Sequence, residues 1–162
     1  MQNLILIGMP GCGKSTIGKE LAKAMGMPFY DVDIEIVRMT GQSIKELFTQ
    51  GEDYFRTKET EAIAYLAQKE GSVISCGGGV VKRSETMQLL RASGNVFFLN
   101  REPEDICREV HVASRPLLAQ GREKIFELYK ERIRSYVQEA DYLVDVQEPF
   151  VNTIPKILKC IK

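Results

Sequence analysis

The sequence predicts an α/β fold in which a parallel sheet is covered on both faces by helices. Short apolar runs, such as Leu4-Ile5-Leu6-Ile7, alternate with longer segments whose apolar residues recur at helical spacing. The first run is wholly apolar and ends in a glycine-rich loop that opens a helical pattern, as a buried parallel strand and its crossover would. The length, 162 residues, suits one ordinary domain with a full core, and the prediction is a single domain over 1–162.

In chain order, the strands are expected at 4–7, at 27–30 closing on Asp31, at 72–75, at 95–99 and at 142–146. After the first strand, Ile17, Leu21, Ala24 and Met25 mark a helix that Gly26 closes. Ile44, Leu47 and Phe48 begin another helical region, and Ile63, Leu66 and Ala67 continue one beyond Gly51. A long helical pattern runs through Ile125, Leu128, Tyr129, Ile133 and Tyr136. Near the C-terminus Val151, Ile154, Leu158 and Ile161 share one face, with Pro155 either starting or kinking the helix. The stretch 111–121 differs: it is polar and aperiodic, with His111 and Arg115-Pro116, and reads as a mobile lid.

Composition excludes several classes. Acidic and basic residues balance at 22 each, which argues against a surface built to coat nucleic acid. The four cysteines (Cys12, Cys76, Cys107, Cys160) form no CxxC pair and the chain has one histidine, so a zinc site is not expected. Reduced thiols and a cytoplasmic location are the expectation. The start Met1-Gln2-Asn3 lacks the cationic segment of a signal peptide, and no apolar run reaches the roughly 20 residues of a bilayer span.

The chemistry begins at Gly8-Met9-Pro10-Gly11-Cys12-Gly13-Lys14-Ser15. Glycines at 8, 11 and 13 let successive N–H groups turn inward onto a phosphate, and the helix opening at Lys14 adds its positive dipole end. Lys14 would sit on the β- and γ-phosphates of ATP, and the Ser15 hydroxyl is the expected Mg2+ ligand. Cys12 occupies a variable position of the loop and reads as filler.

A second, carboxylate partner for the metal should stand at the end of a neighbouring strand. Neither the third strand, which runs into Gly77-Gly78-Gly79, nor the fourth, which ends Leu99-Asn100, supplies one; the second ends in Asp31, followed by Val32-Asp33. Asp31 is therefore the candidate metal partner, and Asp33 is free for another task. Read as an extended segment, alternate residues share a face and both carboxylates look into one cleft. Asp31 could instead cap a helix before 34–37, and one aspartate could do both.

No DxxG, NKxD or LSGGQ-like segment is present, which leaves a kinase for a small acceptor. The phosphate loop continuing Thr16-Ile17-Gly18, then Asp31-Val32-Asp33, Ser43-Ile44-Lys45-Glu46-Leu47-Phe48, Gly51-Glu52, Phe55-Arg56, Gly77-Gly78-Gly79 and Arg115-Pro116-Leu117-Leu118 follow in order. Over nearly the whole chain this set resembles the shikimate kinase family. The resemblance implies a nucleoside-monophosphate-kinase-like P-loop fold with a five-stranded parallel sheet in the order 2-3-1-4-5, and a substrate-binding helical region at about 33–61. It implies transfer of the ATP γ-phosphate to the 3-hydroxyl of shikimate, in aromatic amino-acid biosynthesis. By the same resemblance Gly11, Cys12, Gly13, Lys14, Ser15 and Thr16 bind the nucleotide, with Arg108 and Gln147 near the adenine and Arg115 reaching the phosphates from the lid. Asp33 would contact the ring hydroxyls and accept the proton. Arg56 and Arg132 would hold the substrate carboxylate, beside Gly77, Gly78 and Gly79.

Arg132 is matched through the Tyr136 and Ala140 that follow it. Here the run is Arg132-Ile133-Arg134-Ser135-Tyr136 where the family often has a proline, so Arg134 competes for the role. Planar guanidinium groups suit a carboxylate. The plain alternative for Arg56 is a surface ion pair with Glu52 or Glu59. The rivals are another small-molecule kinase, such as one for gluconate or a nucleoside monophosphate, and a nucleotide-binding module without catalysis. The expected partners are shikimate and ATP, without nucleic acid or membrane, acting on a monomer.

Overall fold

A computed structural model describes residues 2–110 and 121–161. Its centre is a five-stranded sheet in the order β2-β3-β1-β4-β5, formed by β1 (Asn3–Ile7), β2 (Phe29–Asp31), β3 (Val73–Ser75), β4 (Gly94–Asn100) and β5 (Tyr142–Asp145). Every pairing is parallel. All five residues of β1 are buried, because this strand lies between β3 and β4 with helices over both faces; its apolar run matches that place.

Among the described residues, eight helices fill the connections: α1 (Lys14–Met25), α2 (Val32–Thr40), α3 (Ile44–Thr49), α4 (Glu52–Leu66), α5 (Ser84–Ser93), α6 (Pro103–Val110), α7 (Arg122–Glu139) and α8 (Ile154–Ile161). Gly26 ends α1 in the left-handed region at φ 67°, a conformation glycine adopts without a Cβ penalty. The Ser43-to-Glu46 segment is a capping box: Ser43 Oγ accepts from the Glu46 N–H at 3.1 Å, and Glu46 Oε1 accepts from the Ser43 N–H at 3.1 Å.

The register places the carboxyl ends of β1, β2 and β3 side by side, with Leu6 and Asp31 both opposite Ser75. The loop after β1, the aspartates after β2 and the glycines after β3 therefore leave the sheet at one edge, where open parallel sheets bind ligands.

Two expectations need correction, and one left open is decided. Asp33 is not on an extended segment; β2 stops at Asp31, and Asp33 lies in the first turn of α2, which Asp31 caps. Val151 does not share the buried face of α8: it belongs to a 3-10 turn, Phe150–Thr153, and is 53% exposed. Pro155 starts that helix rather than kinking it, since it is the second residue of α8. Helices α5 and α6 were not expected, although Pro103 followed by Glu104 and Asp105 is a helix-start signature.

Candidate active site

The donor side is a cavity of about 350 Å³ above the loop that joins β1 to α1. Gly11 and Gly13 adopt φ of 83° and 97°, which turns the loop back on itself. Lys14 Nζ donates to the carbonyls of Gly8 (2.9 Å) and Met9 (3.0 Å), so the ammonium is held over the loop. Gly11, Gly13, Lys14, Ser15 and Thr16 line the cavity on one side, with Asp31 and Asp33 also in its wall. Cys12 is not part of this lining. Its side chain is fully buried, and its N–H donates to the Met9 carbonyl at 3.1 Å.

The two carboxylate oxygens of Asp31 are engaged differently. One oxygen, Oδ1, accepts from the N–H groups of Asp33 (2.9 Å) and Ile34 (3.3 Å) and caps α2. The other, Oδ2, accepts from the Ser15 hydroxyl at 3.2 Å. The Ser15 hydroxyl and the Asp31 carboxylate are thus adjacent hard oxygen donors at the phosphate cavity, a pair that suits Mg2+ completed by phosphate oxygens and water. Among the described residues no cluster of three or more His, Cys, Asp or Glu could hold a metal without such help.

The acceptor side is a second cavity, about 240 Å³, formed between α4, the glycine run and α7. Arg56 projects into it from α4 and is only 8% exposed. Its Nε donates to Glu52 Oε2 (3.2 Å) and its Nη1 to Glu59 Oε1 (2.9 Å), while the guanidinium lies over Phe55 at 5.0 Å. Both ion pairs foreseen for Arg56 exist, yet they anchor a buried side chain at a cavity wall rather than decorate a surface. Phe48 and Phe55 stack at 4.3 Å and give the same cavity an apolar side.

Each glycine of the run makes room for a different functional group. A Cβ on Gly79 would lie 2.2 Å from Arg56 Nη2. One on Gly78 would lie 2.8 Å from Pro10 Cδ and 3.1 Å from Arg132 Nη1. One on Gly77 would lie 3.4 Å from both Asp33 Oδ1 and Glu59 Oε2. Tyr136, buried and stacked on Phe98, donates its hydroxyl to the Gly78 carbonyl at 2.6 Å and so pins the run to α7. Burial pushes the Tyr136 hydroxyl up to about 12, which keeps it protonated as a donor. Arg132, one turn earlier on α7, lines the cavity, whereas Arg134 does not.

Asp33 lines both cavities. Burial raises its carboxyl above the ordinary carboxylate value, the Asp31 charge adds to that rise, and Lys14 and Arg56 oppose it. Glu59 is raised as well, chiefly by burial, against the charge of Arg56.

Arg108 is on the surface, ion-paired with Asp105, and lines a third cavity of about 550 Å³. Gln147 is not among the residues lining it; its N–H donates to Thr153 Oγ1 at 3.1 Å. Arg115 and His111, and with them residues 111–120 of the expected lid, lie outside the described residues. Sequence reasoning missed Lys82 and Phe150, and named Glu59 only as an ion-pair partner of Arg56. Lys82 lines the acceptor cavity and donates to Glu52 Oε2 at 2.7 Å. Phe150 packs on Gly13 and lines the phosphate cavity. Only Glu59 carried a signal, since it falls one helical turn after Arg56.

A parallel sheet in this strand order, with a phosphate loop after its central strand and an arginine-lined pocket beside that loop, defines a P-loop kinase of the nucleoside-monophosphate-kinase type. A family model described as shikimate kinase matches residues 10–162. The shikimate kinase of Clostridium botulinum (strain Eklund 17B / Type B) is 46% identical over 162 residues, covering 99% of this chain and 98% of its own. That of Clostridium beijerinckii is 41% identical over 158 residues, 98% of this chain and 94% of its own. Among solved structures, shikimate kinase from Acinetobacter baumannii in complex with shikimate superposes with a TM-score of 0.90 at 33% identity, over 99% of this chain and 93% of that one. The chain belongs to the shikimate kinase family. No helix among the described residues is long and apolar enough to cross a membrane.

Proposed function

We propose that this protein transfers the γ-phosphate of ATP to the 3-hydroxyl of shikimate, giving shikimate 3-phosphate and ADP on the route to chorismate and the aromatic amino acids. The observation that carries the reading is Asp33, whose carboxylate belongs to the walls of both the phosphate cavity and the arginine-lined cavity. A hydroxyl presented from the second cavity meets its base where the phosphate is delivered from the first.

Arg56 and Arg132 bind the carboxylate of the acceptor, and the Phe48–Phe55 wall takes the apolar part of its ring. Asp33 orients the attacking hydroxyl and accepts its proton; its raised carboxyl makes it a better base than an exposed aspartate. Lys14 and the N–H groups of the loop hold the triphosphate, Arg115 adds a cation from the lid, and Arg108 and Gln147 lie toward the adenine. Ser15 and Asp31 would hold Mg2+, which would supply positive charge to neutralise what builds on the transferring phosphate. Transfer is direct and in line, so catalysis rests on positioning and charge neutralisation, with no covalent enzyme intermediate. The enzyme acts as a cytoplasmic monomer, with residues 33–61 as its acceptor-binding region and 111–121 as its lid.

Replacing Asp33 with Asn tests the assignment. Turnover should vanish while a fluorescent ATP analogue still binds with near-native affinity; near-normal turnover would remove Asp33 from the chemistry.

A further inference from the structure

Lys82 closes a 3-10 turn, Val80–Lys82, that directly follows the glycine run. Its N–H donates to the Gly79 carbonyl at 3.0 Å, which ties its position to that run. Its ammonium lines the acceptor cavity and donates to Glu52 Oε2 at 2.7 Å. The same oxygen accepts from Arg56 Nε at 3.2 Å, so one carboxylate oxygen lies between two cations. The side chains of Lys82 and Glu52 are 39% and 46% exposed, which places the pair where the cavity meets solvent.

An ion pair this exposed contributes little to stability. Its charges matter more to a ligand, because both belong to the cavity wall. Among the described residues the charged lining is Asp33, Glu52 and Glu59 against Arg56, Arg132 and Lys82. Arg56 is already committed to two of those carboxylates, to Glu52 through Nε and to Glu59 through Nη1. The hydrogen bond from Lys82 is the main cause that holds the Glu52 carboxyl below its ordinary value, so Glu52 is an anion at neutral pH. A carboxylate in the wall repels an incoming acid, and a cation beside it offsets that repulsion. An ammonium has three N–H donors, of which the bond to Glu52 uses one.

We propose that Lys82 is a specificity residue for the acceptor: its ammonium is a third cation of the acceptor cavity, set against Glu52, and makes that cavity select an acid over its neutral counterpart. Lys82 acts on the bound acid directly, as a charge in the wall. The inference rests on the reading that this cavity holds the shikimate carboxylate, and binding is measured apart from turnover so that the two can fail separately.

The test is a charge series at one position, Lys82→Arg, Lys82→Met and Lys82→Glu, each checked by a thermal melt. Calorimetry or NMR titration gives the Kd of shikimate and of its uncharged methyl ester, and coupled kinetics give both KM values. Lys82→Arg keeps the charge and should hold the shikimate Kd within about twofold. Lys82→Met should raise that Kd about fivefold, and Lys82→Glu about fivefold again, because each step removes one unit of positive charge from the wall. The ester Kd should stay within about twofold throughout, as should the ATP KM of Lys82→Met. Equal losses for acid and ester, equal losses in Lys82→Met and Lys82→Glu, no rescue by arginine, or an unchanged shikimate Kd would each overturn the proposal. If the ester binds too weakly to titrate, the charge series alone decides. A native enzyme that binds shikimate without phosphorylating it would overturn the function and leave Lys82 to be read from Kd; one that does not bind shikimate would overturn both.

Discussion

Replacing Gly79 with Ala should cripple acceptor binding through a single methyl group. Gly79 has φ −96°, so alanine fits the backbone and the effect must come from the space around it. The new Cβ would stand 2.2 Å from Arg56 Nη2, 2.8 Å from Cζ and 2.9 Å from Nη1. Unbonded carbon and nitrogen need about 3.5 Å, so the guanidinium must retreat by roughly 1 Å. A free arginine would do this at little cost. Arg56 is tethered at Nε to Glu52 (3.2 Å) and at Nη1 to Glu59 (2.9 Å), and the retreat strains or breaks those bonds. The acceptor carboxylate then loses a charge-assisted hydrogen bond of about 1.5–3 kcal/mol. At about 1.4 kcal/mol per factor of ten, the shikimate KM should rise roughly 10- to 150-fold. Gly79 does not line the phosphate cavity, so the ATP KM should stay within about twofold. Coupled ADP-release kinetics with each substrate varied in turn, and a thermal melt to show a folded enzyme, provide the readout. A folded variant with a native shikimate KM, or with both KM values raised alike, would refute the reasoning.

Arg56→Ala should raise the shikimate KM at least as far or abolish binding, again with little change for nucleotide; a collapse of ATP affinity would make the clamp assignment wrong. Asp33→Asn should melt at a higher temperature than the native enzyme at pH 7–8. The folded-state pKa of Asp33 is raised, so native stability falls as pH climbs from the ordinary carboxylate value through the raised one, and the neutral amide escapes that loss. A lower melting temperature for the variant would contradict this. The acid limb of kcat/KM should, for the same reason, lie above the ordinary carboxylate value rather than at it. Tyr136→Phe leaves the Gly78 carbonyl without its donor, at a cost of about 1–3 kcal/mol. In a chain of this size that is roughly 2–12 °C in Tm, with a rise in shikimate KM; an unchanged Tm would mean that the bond contributes nothing.

The donor side was legible because its geometry is local. Gly8 to Ser15 is one continuous segment, and a wholly apolar strand before a helix start leaves few ways to fold it. The acceptor side is spread over α2, α4, the glycine run and α7, so spacing along the chain could not assemble it, and only the family resemblance named Arg56 and Arg132 for it. The glycine run shows the limit well: a lack of side chains at a strand end predicts close approach, but not that Arg56, Pro10 and Arg132 are what approaches. Asp33 lines the phosphate cavity beside Asp31, but not on an extended segment, since the chain turns helical at Val32 under the Asp31 cap. Phe150 was invisible because it reaches the loop from 137 residues beyond Gly13, by tertiary packing that no local pattern encodes.

The central claim is that a phosphate loop and an arginine-lined acid pocket share one carboxylate, and that the acceptor is shikimate. The direct measurement is ADP release from ATP and Mg2+ in the presence of shikimate, gluconate or a nucleoside monophosphate, with phosphorus NMR of the product. Release that depends on shikimate and places a new phosphate on its 3-hydroxyl is the predicted result. Release driven by gluconate or a nucleoside monophosphate, with shikimate inert, would contradict it.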